Sequence, residues 1–506
     1  MSTTTNVPLQ PKITAIDADS QFVNQTWAAD YLESFLGKGD PLADKIMDIL
    51  YAEGRALALQ SGNPADRPGP ILQFLSLLIN RMVIPDPESP HPFGEEDPNY
   101  KMSDDVRQAL REFLAGARNL PAWVDFDLVR VGQKLFKDNP IIAYPLLAFL
   151  SLPVLYTCGR GGTEVLILTD QINTKVRRRV VETGALIMQV MQADSFTKLP
   201  EKSNLTNPVP IGIEGILRVR LLHAASRTVI NEFWQDGLRD RAAEANKPAD
   251  QPSKVRQYHG MSADQMWKKE FGLPINQQYL AGTLTTFSYI DLFGLEKLGV
   301  ILSDEEKKGY MHVWNVFGYV LGIDEELLLR LDFPRTNQAV YENGAPVHAA
   351  TGKEMETAGR ALYTQLMKLN RSADAGAANG GQVLTKSLAD YLGDVLKRRV
   401  PLGKYLPVER LPIVMMGLLL TDDDQKLLNI KTTLMDKLLF PVIILFFRLR
   451  GVVQKTNPLL VNTIANLFFH YMEQENSAVY DELEQKTGVR YSGIPLEFQQ
   501  KWGLVK

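Results

Sequence analysis

The chain has 506 residues, of which 45% are hydrophobic and 23% are charged, and its net charge is −4. This composition is typical of an ordinary globular protein, and the length allows two or three domains. A slightly acidic chain offers no basic surface for nucleic acid. The single cysteine, Cys158, excludes a disulfide framework and Cys-rich zinc or iron–sulfur sites.

The first hundred residues predict helices followed by a loop. Residues 1–8 are polar and lack both the basic and apolar segments of a secretory signal peptide and a twin-arginine export signal. We therefore expect a cytoplasmic protein. Residues 20–60 have the spacing of amphipathic helices. Five prolines between Pro85 and Pro98 predict a loop, and Ser103 is the expected N-cap of the next helix.

Two apolar segments raise the question of membrane contact. Residues 141–158 carry no charge but contain Pro145 and Pro153. Because a membrane-spanning helix needs about 20 apolar residues, a kinked buried helix is the preferred interpretation. Residues 438–447 form a shorter run interrupted by Pro441, which indicates a core or membrane-grazing segment. Membrane contact without a span therefore stays open.

The hydrophobic pattern of the rest of the chain is also helical, and the whole chain is predicted to divide into four parts. Residues 370–383 are rich in glycine, alanine and asparagine, which predicts a linker or loop. No long alternating strand pattern and no repeat of fixed period occurs, so the fold class is predicted to be all-α. We expect an N-terminal helical extension over 1–100, a core over 101–369, the linker, and C-terminal helices over 384–506 that pack on the core.

His223 interrupts an otherwise apolar helical face. At helical spacing, residues 216, 219, 223, 226, 230 and 233 share one side, which reads Ile, Val, His, Ser, Ile and Phe. Arg220 and Arg227 flank the histidine and could pair with carboxylates such as haem propionates. Ala224 and Ala225 would leave room for a large flat group. Alternatively, His223 is a core residue bonded to a backbone carbonyl, and the arginines extend to water.

A second helix, predicted over residues 175–192, carries a similar interruption. Its apolar face runs through positions 176, 180, 183, 187 and 190, and Thr183 is the polar member. Arg179 lies one turn before Thr183, and Glu182 is its direct neighbour. A threonine within a helix usually bonds to its own helix, and charged flanking residues usually face water. The pattern alone leaves the role of these residues open.

Taken together and in order, these segments resemble the latex-clearing-protein type of rubber oxygenase, a family that includes fungal prenyl-chain-cleaving oxygenases. The resemblance covers roughly residues 100–345 and rests on several short motifs in the same order, each of low specificity alone. The segments that carry it are residues 159–162, 168–169, 177–183, 220–227, 273–277, 283–288, 295–299 and 310–322.

The resemblance implies a globin-like helical core that binds b-type haem. His223, within the pattern Arg-x-x-His-Ala-x-x-Arg, would ligate the iron, and Arg220 and Arg227 would contribute to cofactor binding. Arg179 and Thr183 match residues on the distal side of the haem.

The candidate bases are two glutamates. Glu182 replaces a lysine of the best-known latex-clearing type, so we expect no nitrogen ligand opposite His223. This carboxylate could act as a base, as a weak iron ligand or as a gate. Glu164 lies near a glutamate of the family and is a second candidate. It could equally be a helix-start carboxylate favoured by the helix dipole.

The implied activity is dioxygenase cleavage of C=C bonds in an isoprenoid or other unsaturated apolar substrate, with O2 as co-substrate. The substrate could be an apolar small molecule or a polyisoprenoid, and nucleic acid is not expected as a partner. Two alternatives remain: a haem protein without oxygenase turnover, such as a sensor or peroxidase-like protein, or a helical lipid- or partner-binding protein. His312 lies in a dense aromatic helix, where a core role is more common than contact with a haem.

Overall fold

The computed structural model describes most of the chain between residues 27 and 457. The described residues are 27–62, 67, 69–158, 165, 176–245, 267, 269–330, 341–342, 345–346, 350–371, 375–399, 408–457, 463 and 474. At positions 176–179, 181 and 232–245, among others, only the backbone is described.

Seventeen helices are described, and they confirm the predicted all-α class. They are α1 Ala29–Glu33, α2 Pro41–Ser61, α3 Gly69–Asn80, α4 Asp104–Arg118, α5 Phe126–Asp138, α6 Pro140–Leu146, α7 Leu152–Tyr156, α8 Val176–Val190, α9 Ile211–Ala245, α10 Gln277–Phe287, α11 Tyr289–Lys297, α12 Asp304–Val320, α13 Gly352–Asn370, α14 Ala375–Arg399, α15 Leu411–Leu419, α16 Asp422–Leu427 and α17 Leu434–Thr456. Within the described residues, strands are limited to Tyr341–Glu342 and Ala345–Pro346, which pair antiparallel.

Side-chain caps fix where several helices begin. Ser103 accepts a hydrogen bond from the amide of Val106, which confirms the predicted N-cap of α4. Ser303 begins α12 with a reciprocal bond to Glu306, and Thr351 begins α13 in the same way. Each cap satisfies amides that have no partner inside the helix, so these boundaries follow from local sequence.

The core is organised around helix α12, which packs closely on α5 and α13. A Cβ atom added at Gly132 of α5 would lie 2.3 Å from the carbonyl oxygen of Gly309 in α12, so only glycine permits this backbone approach. Trp314 and Tyr310 of α12 are fully buried, together with Trp27 and Phe35 from the N-terminal part. These large side chains make one contiguous core across the sequence.

The uncharged segment 141–158 is a broken buried helix, as its prolines predict. Helix α6 runs into a π-helical turn at Leu147–Ser151 before α7 begins. Pro153 has no amide hydrogen to donate to the carbonyl one turn earlier, and a widened turn accommodates that loss. Within the described residues no single helix is long and apolar enough to cross a bilayer. In this part of the chain, one pair of helical segments, Phe126–Asp138 and Pro140–Tyr156, has the length and apolar composition of a membrane span when the two are taken together. The two segments are bent by 93° relative to each other.

The predicted linker over 370–383 is wrong for most of its length. Helix α13 ends at Asn370 and α14 begins at Ala375, so the glycine-rich sequence is largely helical. The reason is tertiary packing: a Cβ atom at Gly381 would lie 2.2 Å from the carbonyl oxygen of Tyr156. The small residues let α14 approach α7, and this contact outweighs their low helix propensity. The four-part division itself stays a prediction.

Candidate functional site

His223 lies on a half-exposed stripe of the long helix α9. Val219, Leu222, His223 and Ser226 are all half-buried. By contrast, Ala224 and Ala225 are fully covered by the protein core. The two alanines therefore allow neighbouring protein elements to approach α9. The expectation that they leave room for a flat group is wrong, and the open side of the helix is the one that carries His223.

Arg220 forms a buried two-point ion pair with Asp40. Its Nε and Nη2 donate to the two carboxylate oxygens at 2.5 and 2.9 Å, and Nη1 donates to the carbonyl of Val320 at 3.1 Å. The two side chains are 9% and 3% exposed. Asp40 also caps helix α2 by accepting from the amide of Ala43. This contact fixes α9 to the start of α2 and the end of α12.

Arg227, two helical turns after Arg220 on α9, is also held by an ion pair and by backbone carbonyl groups. It pairs with Asp44 of α2, and its Nε and Nη2 donate to the carbonyl oxygens of Pro274 and Ile275. Burial raises the pKa of Asp44, and the charge of Arg227 opposes that rise. Both arginines that flank His223 therefore have protein partners, which favours a positioning role over a direct role in cofactor binding.

The turn after α12 completes this network. Gly322 has a φ of +87°, and a Cβ atom there would lie 2.4 Å from Asp40 Oδ2 and 2.5 Å from Arg220 Nε. Gln277 donates to the carbonyl oxygens of Gly322 and Gly39, each at 2.8 Å. Three segments that carried the family resemblance, around Arg220, Gln277 and Gly322, thus converge on one buried network beside the histidine helix.

Helix α8 runs antiparallel to α9 and packs against its first turns. Gln189 donates to the carbonyl oxygen of Ile211 at 2.5 Å, and a Cβ atom at Gly215 would lie 3.1 Å from Leu186 Cδ1. Glu182 and Thr183 are half-buried on α8. The side chain of Arg179 and the whole of Glu164 lie outside the described residues.

Two further contacts join α6, α8, α9, α10 and the π-helical turn into a closed set of linked elements, which we call the ring. The Tyr144 hydroxyl of α6 donates to the carbonyl oxygen of Gly184 in α8 at 3.1 Å. Ser151 in the π-helical turn donates to the carbonyl oxygen of Thr286 in α10 at 2.7 Å. Helix α10 begins at Gln277, which belongs to the Arg220 network. Half-buried apolar side chains occur on every member of the ring: Tyr144, Ala148, Leu152, Leu186, Val219, Leu222 and Phe287.

Gly282 of α10 borders open space inside the protein. The residue is buried, yet among the described residues a Cβ atom added there would meet no heavy atom within 4 Å. Close packing normally fills such a position in a core helix. The segment 283–288 was noted in the sequence for its family resemblance, but the gap beside Gly282 has no sequence signature.

The sequence analysis missed a buried carboxyl group. Asp291 of α11 is fully buried and accepts a hydrogen bond from the Tyr310 hydroxyl. Burial raises the pKa of Asp291 to about 8, against the lowering effect of the Tyr310 bond. The signal was a single aspartate within the otherwise apolar residues 289–295.

His312 is a structural residue of the core. It is fully buried, and its Nε2 accepts from the amide of Asp125 at 2.9 Å. Burial lowers the pKa of His312 to about 4, so the ring is neutral at physiological pH. Across the described part of the chain, no three His, Cys, Asp or Glu side chains group closely enough to hold a bare metal ion.

No protein-family model matches the chain. It is 22% identical over 318 residues to a curated rubber oxygenase of Streptomyces sp. (strain K30), and the match covers 60% of this chain and 62% of the relative. The chain is related to the rubber oxygenases. The match spans less than two thirds of that relative's length.

A solved structure of latex clearing protein in the closed state has the same fold. The two chains superpose with a TM-score of 0.50 at 16% identity, over 82% of this chain and 84% of the other. The resemblance seen in the sequence motifs is thereby confirmed, together with the helical fold.

Proposed function

We propose that the protein is a haem b-dependent oxygenase that cleaves C=C bonds of an isoprenoid or other unsaturated apolar substrate with O2. The single observation that carries the proposal is the half-buried histidine in an apolar stripe of α9, held between two arginines that are fixed by ion pairs. The relationship to a rubber oxygenase supports the reaction class.

The residues around the site fit a haem. A neutral imidazole is the protein donor that a haem iron commonly takes, and His223 is presented by a helix whose two flanking arginines are locked by ion pairs. Half-buried apolar side chains on α6, α8, α9 and α10 would cover the macrocycle. At Gly282 of α10 an added Cβ atom would meet no heavy atom of the described residues within 4 Å.

When bound, haem b would supply the O2 chemistry, and the protein would supply its ligand and surroundings. His223 would hold the iron through one ring nitrogen. Arg220 and Arg227 would act as positioning residues, because their charges are already paired with Asp40 and Asp44. The Arg220 and Arg227 contacts would keep the imidazole in one orientation.

Helix α8 would provide the polar groups opposite His223. The antiparallel register set by Gln189 and Gly215 places Glu182 and Thr183 on α8 level with about Arg218 and Val219 on α9, one turn before His223. We infer that Thr183 lines the pocket and that Glu182 can accept a proton from the substrate. Arg179 and Glu164 stay candidates for the same distal role.

The substrate would be apolar, since most side chains on the ring are aliphatic or aromatic. An apolar small molecule or a polyisoprenoid both meet this requirement, with O2 as co-substrate. A haem protein that only senses or scavenges, and a helical lipid-binding protein without haem, are the competing functions.

A visible spectrum and a product assay separate the three functions. Protein produced with haem supply should show a Soret band, and incubation with a prenyl substrate under O2 should give carbonyl products. A Soret band without carbonyl products would favour the haem protein that lacks turnover. Absence of the band after haem supply would end both haem proposals.

The ligand is tested by replacement of His223. We expect His223→Ala to lose nearly all bound haem, whereas His91→Ala, in the loop before α4, retains it. Circular dichroism and thermal unfolding would verify that both variants fold. Full haem retention by His223→Ala would contradict the assignment of the ligand.

A further inference from the structure

Helix α17 presents a broad apolar face to solvent. Nine large hydrophobic side chains on it are 46% to 76% exposed: Leu434, Met435, Leu438, Leu439, Val442, Leu445, Phe446, Leu449 and Val452. Single exposed hydrophobics are normal on soluble proteins, but a contiguous set of this size marks an interaction surface. We call this set the α17 face.

The α17 face and the packed side of the helix are opposite each other. At about 100° per residue, the nine residues occupy an arc of roughly 140°. The other side is anchored: Phe447 is buried in the core, Asp436 pairs with Arg410, and Arg450 donates to Asn139 Oδ1 at 2.8 Å and to the Asp138 carbonyl oxygen. The helix cannot turn this face inwards without breaking those contacts.

The exposed charged residues described on α17 are basic. Lys437 and Arg448 are exposed and lie together on one flank of the helix. The only acidic residue in the α17 sequence is Asp436, which is buried and bonded to Arg410. An exposed apolar arc with a cationic edge is complementary to a surface that is apolar inside and anionic at its rim.

We propose that the α17 face docks on an anionic lipid bilayer, with the helix lying in the plane of the membrane surface. Its apolar side chains would enter the boundary of the acyl chains, and Lys437 and Arg448 would contact lipid phosphates or carboxylates. The helix lies on the surface and does not cross it, because Asp436 and Arg450 tie its other side to the protein.

A second copy of the chain fits this face less well. Two paired helices contact each other along a narrow stripe of residues spaced three and four positions apart, whereas the exposed apolar arc of α17 is wide. The flank that would meet a partner helix offers two cations and no carboxylate, so a homodimer would juxtapose like charges. The surface of an anionic bilayer satisfies both features. This inference does not depend on whether the protein binds haem.

Vesicle binding by the full-length protein tests the proposal. We expect co-sedimentation with vesicles of phosphatidylcholine mixed with phosphatidylserine, and much weaker binding to vesicles of phosphatidylcholine alone. Leu438→Glu combined with Leu449→Glu should lower the binding constant by roughly tenfold or more, because two inserted leucines are lost. Lys437→Gln should lower it by about fivefold, and added salt should reduce the effect of this charge.

The control is Leu59→Glu, which changes a leucine that is 85% exposed on α2, away from this face. It should bind vesicles like the original protein. Thermal unfolding would verify that all variants fold. Light scattering after size exclusion would detect a second copy: a dimer that Leu438→Glu and Leu449→Glu dissociate would overturn the membrane proposal. Absence of vesicle binding, or equal binding to neutral and anionic vesicles, would also overturn it.

Discussion

Arg220 holds Asp40 in a buried ion pair that joins two helices 180 residues apart in the chain. The pair lies one turn before His223 and touches the turn at Gly322. A buried ion pair is weak evidence for stability as such, but removing one partner leaves a buried charge uncompensated. Its position suggests that this pair sets the orientation of the histidine helix.

Asp40→Asn should destabilise the protein strongly. Asparagine retains the capacity to cap α2 but leaves the Arg220 charge without its carboxylate, at a cost of about 3–5 kcal/mol. Denaturant unfolding would measure the loss. The control is Glu112→Gln, which breaks an exposed pair with Lys45 and should change stability little. Similar effects of the two changes would contradict the importance of the buried pair.

Gly322→Ala should be more harmful than the same change at Gly62. Both glycines have positive φ, at +87° and +70°, so both substitutions introduce a backbone cost of order 1 kcal/mol. Only at Gly322 would the new Cβ atom also lie against Asp40 and Arg220. Thermal unfolding of both variants measures the difference. Equal losses of stability in the two variants would show that Asp40 and Arg220 can shift to admit the new Cβ atom at little cost.

Substitutions at Gly282 test the open space in the core. Gly282→Ala should stabilise the protein by about 0.5–1 kcal/mol, because alanine favours the helix interior and meets no atom. Gly282→Leu should fold and lower haem binding if the proposed cofactor occupies that space. A haem titration monitored by the Soret band measures this effect. Gly132→Ala is the contrast, since its Cβ would clash with Gly309 and should destabilise.

Asp291 should make stability fall as pH rises from about 4 to about 8. In the unfolded chain the carboxyl loses its proton near pH 4, whereas in the folded protein the raised pKa of Asp291 keeps it protonated up to about 8. The folded state therefore holds one more proton across that window. Asp291→Asn mimics the protonated form, so its stability relative to the original protein should increase from pH 5 to pH 8.

Urea unfolding of both proteins at a series of pH values measures this difference. A difference that stays constant across the window would mean that Asp291 titrates normally in the folded state.

His312→Gln should reduce stability and leave any haem bound. The substitution disturbs the acceptor for the Asp125 amide in the core, which is a structural contact. The pKa of His312 is about 4 in the folded protein and near 6.5 in the unfolded chain. The unfolded chain therefore binds more protons between these pH values, and the free energy of unfolding falls as pH drops from about 6.5 to about 4. Thermal unfolding at pH 5 and pH 7 compares the two proteins. Loss of haem by this variant with retained folding would point to a second haem contact.

Local sequence determined several helix caps, loops and irregular turns. The cap at Ser103, the loop containing Pro85 and Pro98, and the π-helical turn before Pro153 all follow from chemistry within a few residues of each position. The unusual position of His223 was also visible, because an imidazole in an apolar helical stripe is a local pattern. These features needed no knowledge of distant partners.

Only the tertiary structure decided what Arg220, Gly381 and Asp291 do. Arg220 meets a carboxylate 180 positions away, and Gly381 becomes helical because it packs on Tyr156. Asp291 has a raised pKa because the fold buries it beside Tyr310. In each case the decisive free energy comes from a neighbour remote in the chain, through desolvation, charge pairing or backbone approach. Local patterns carry no information about which remote residue that neighbour is.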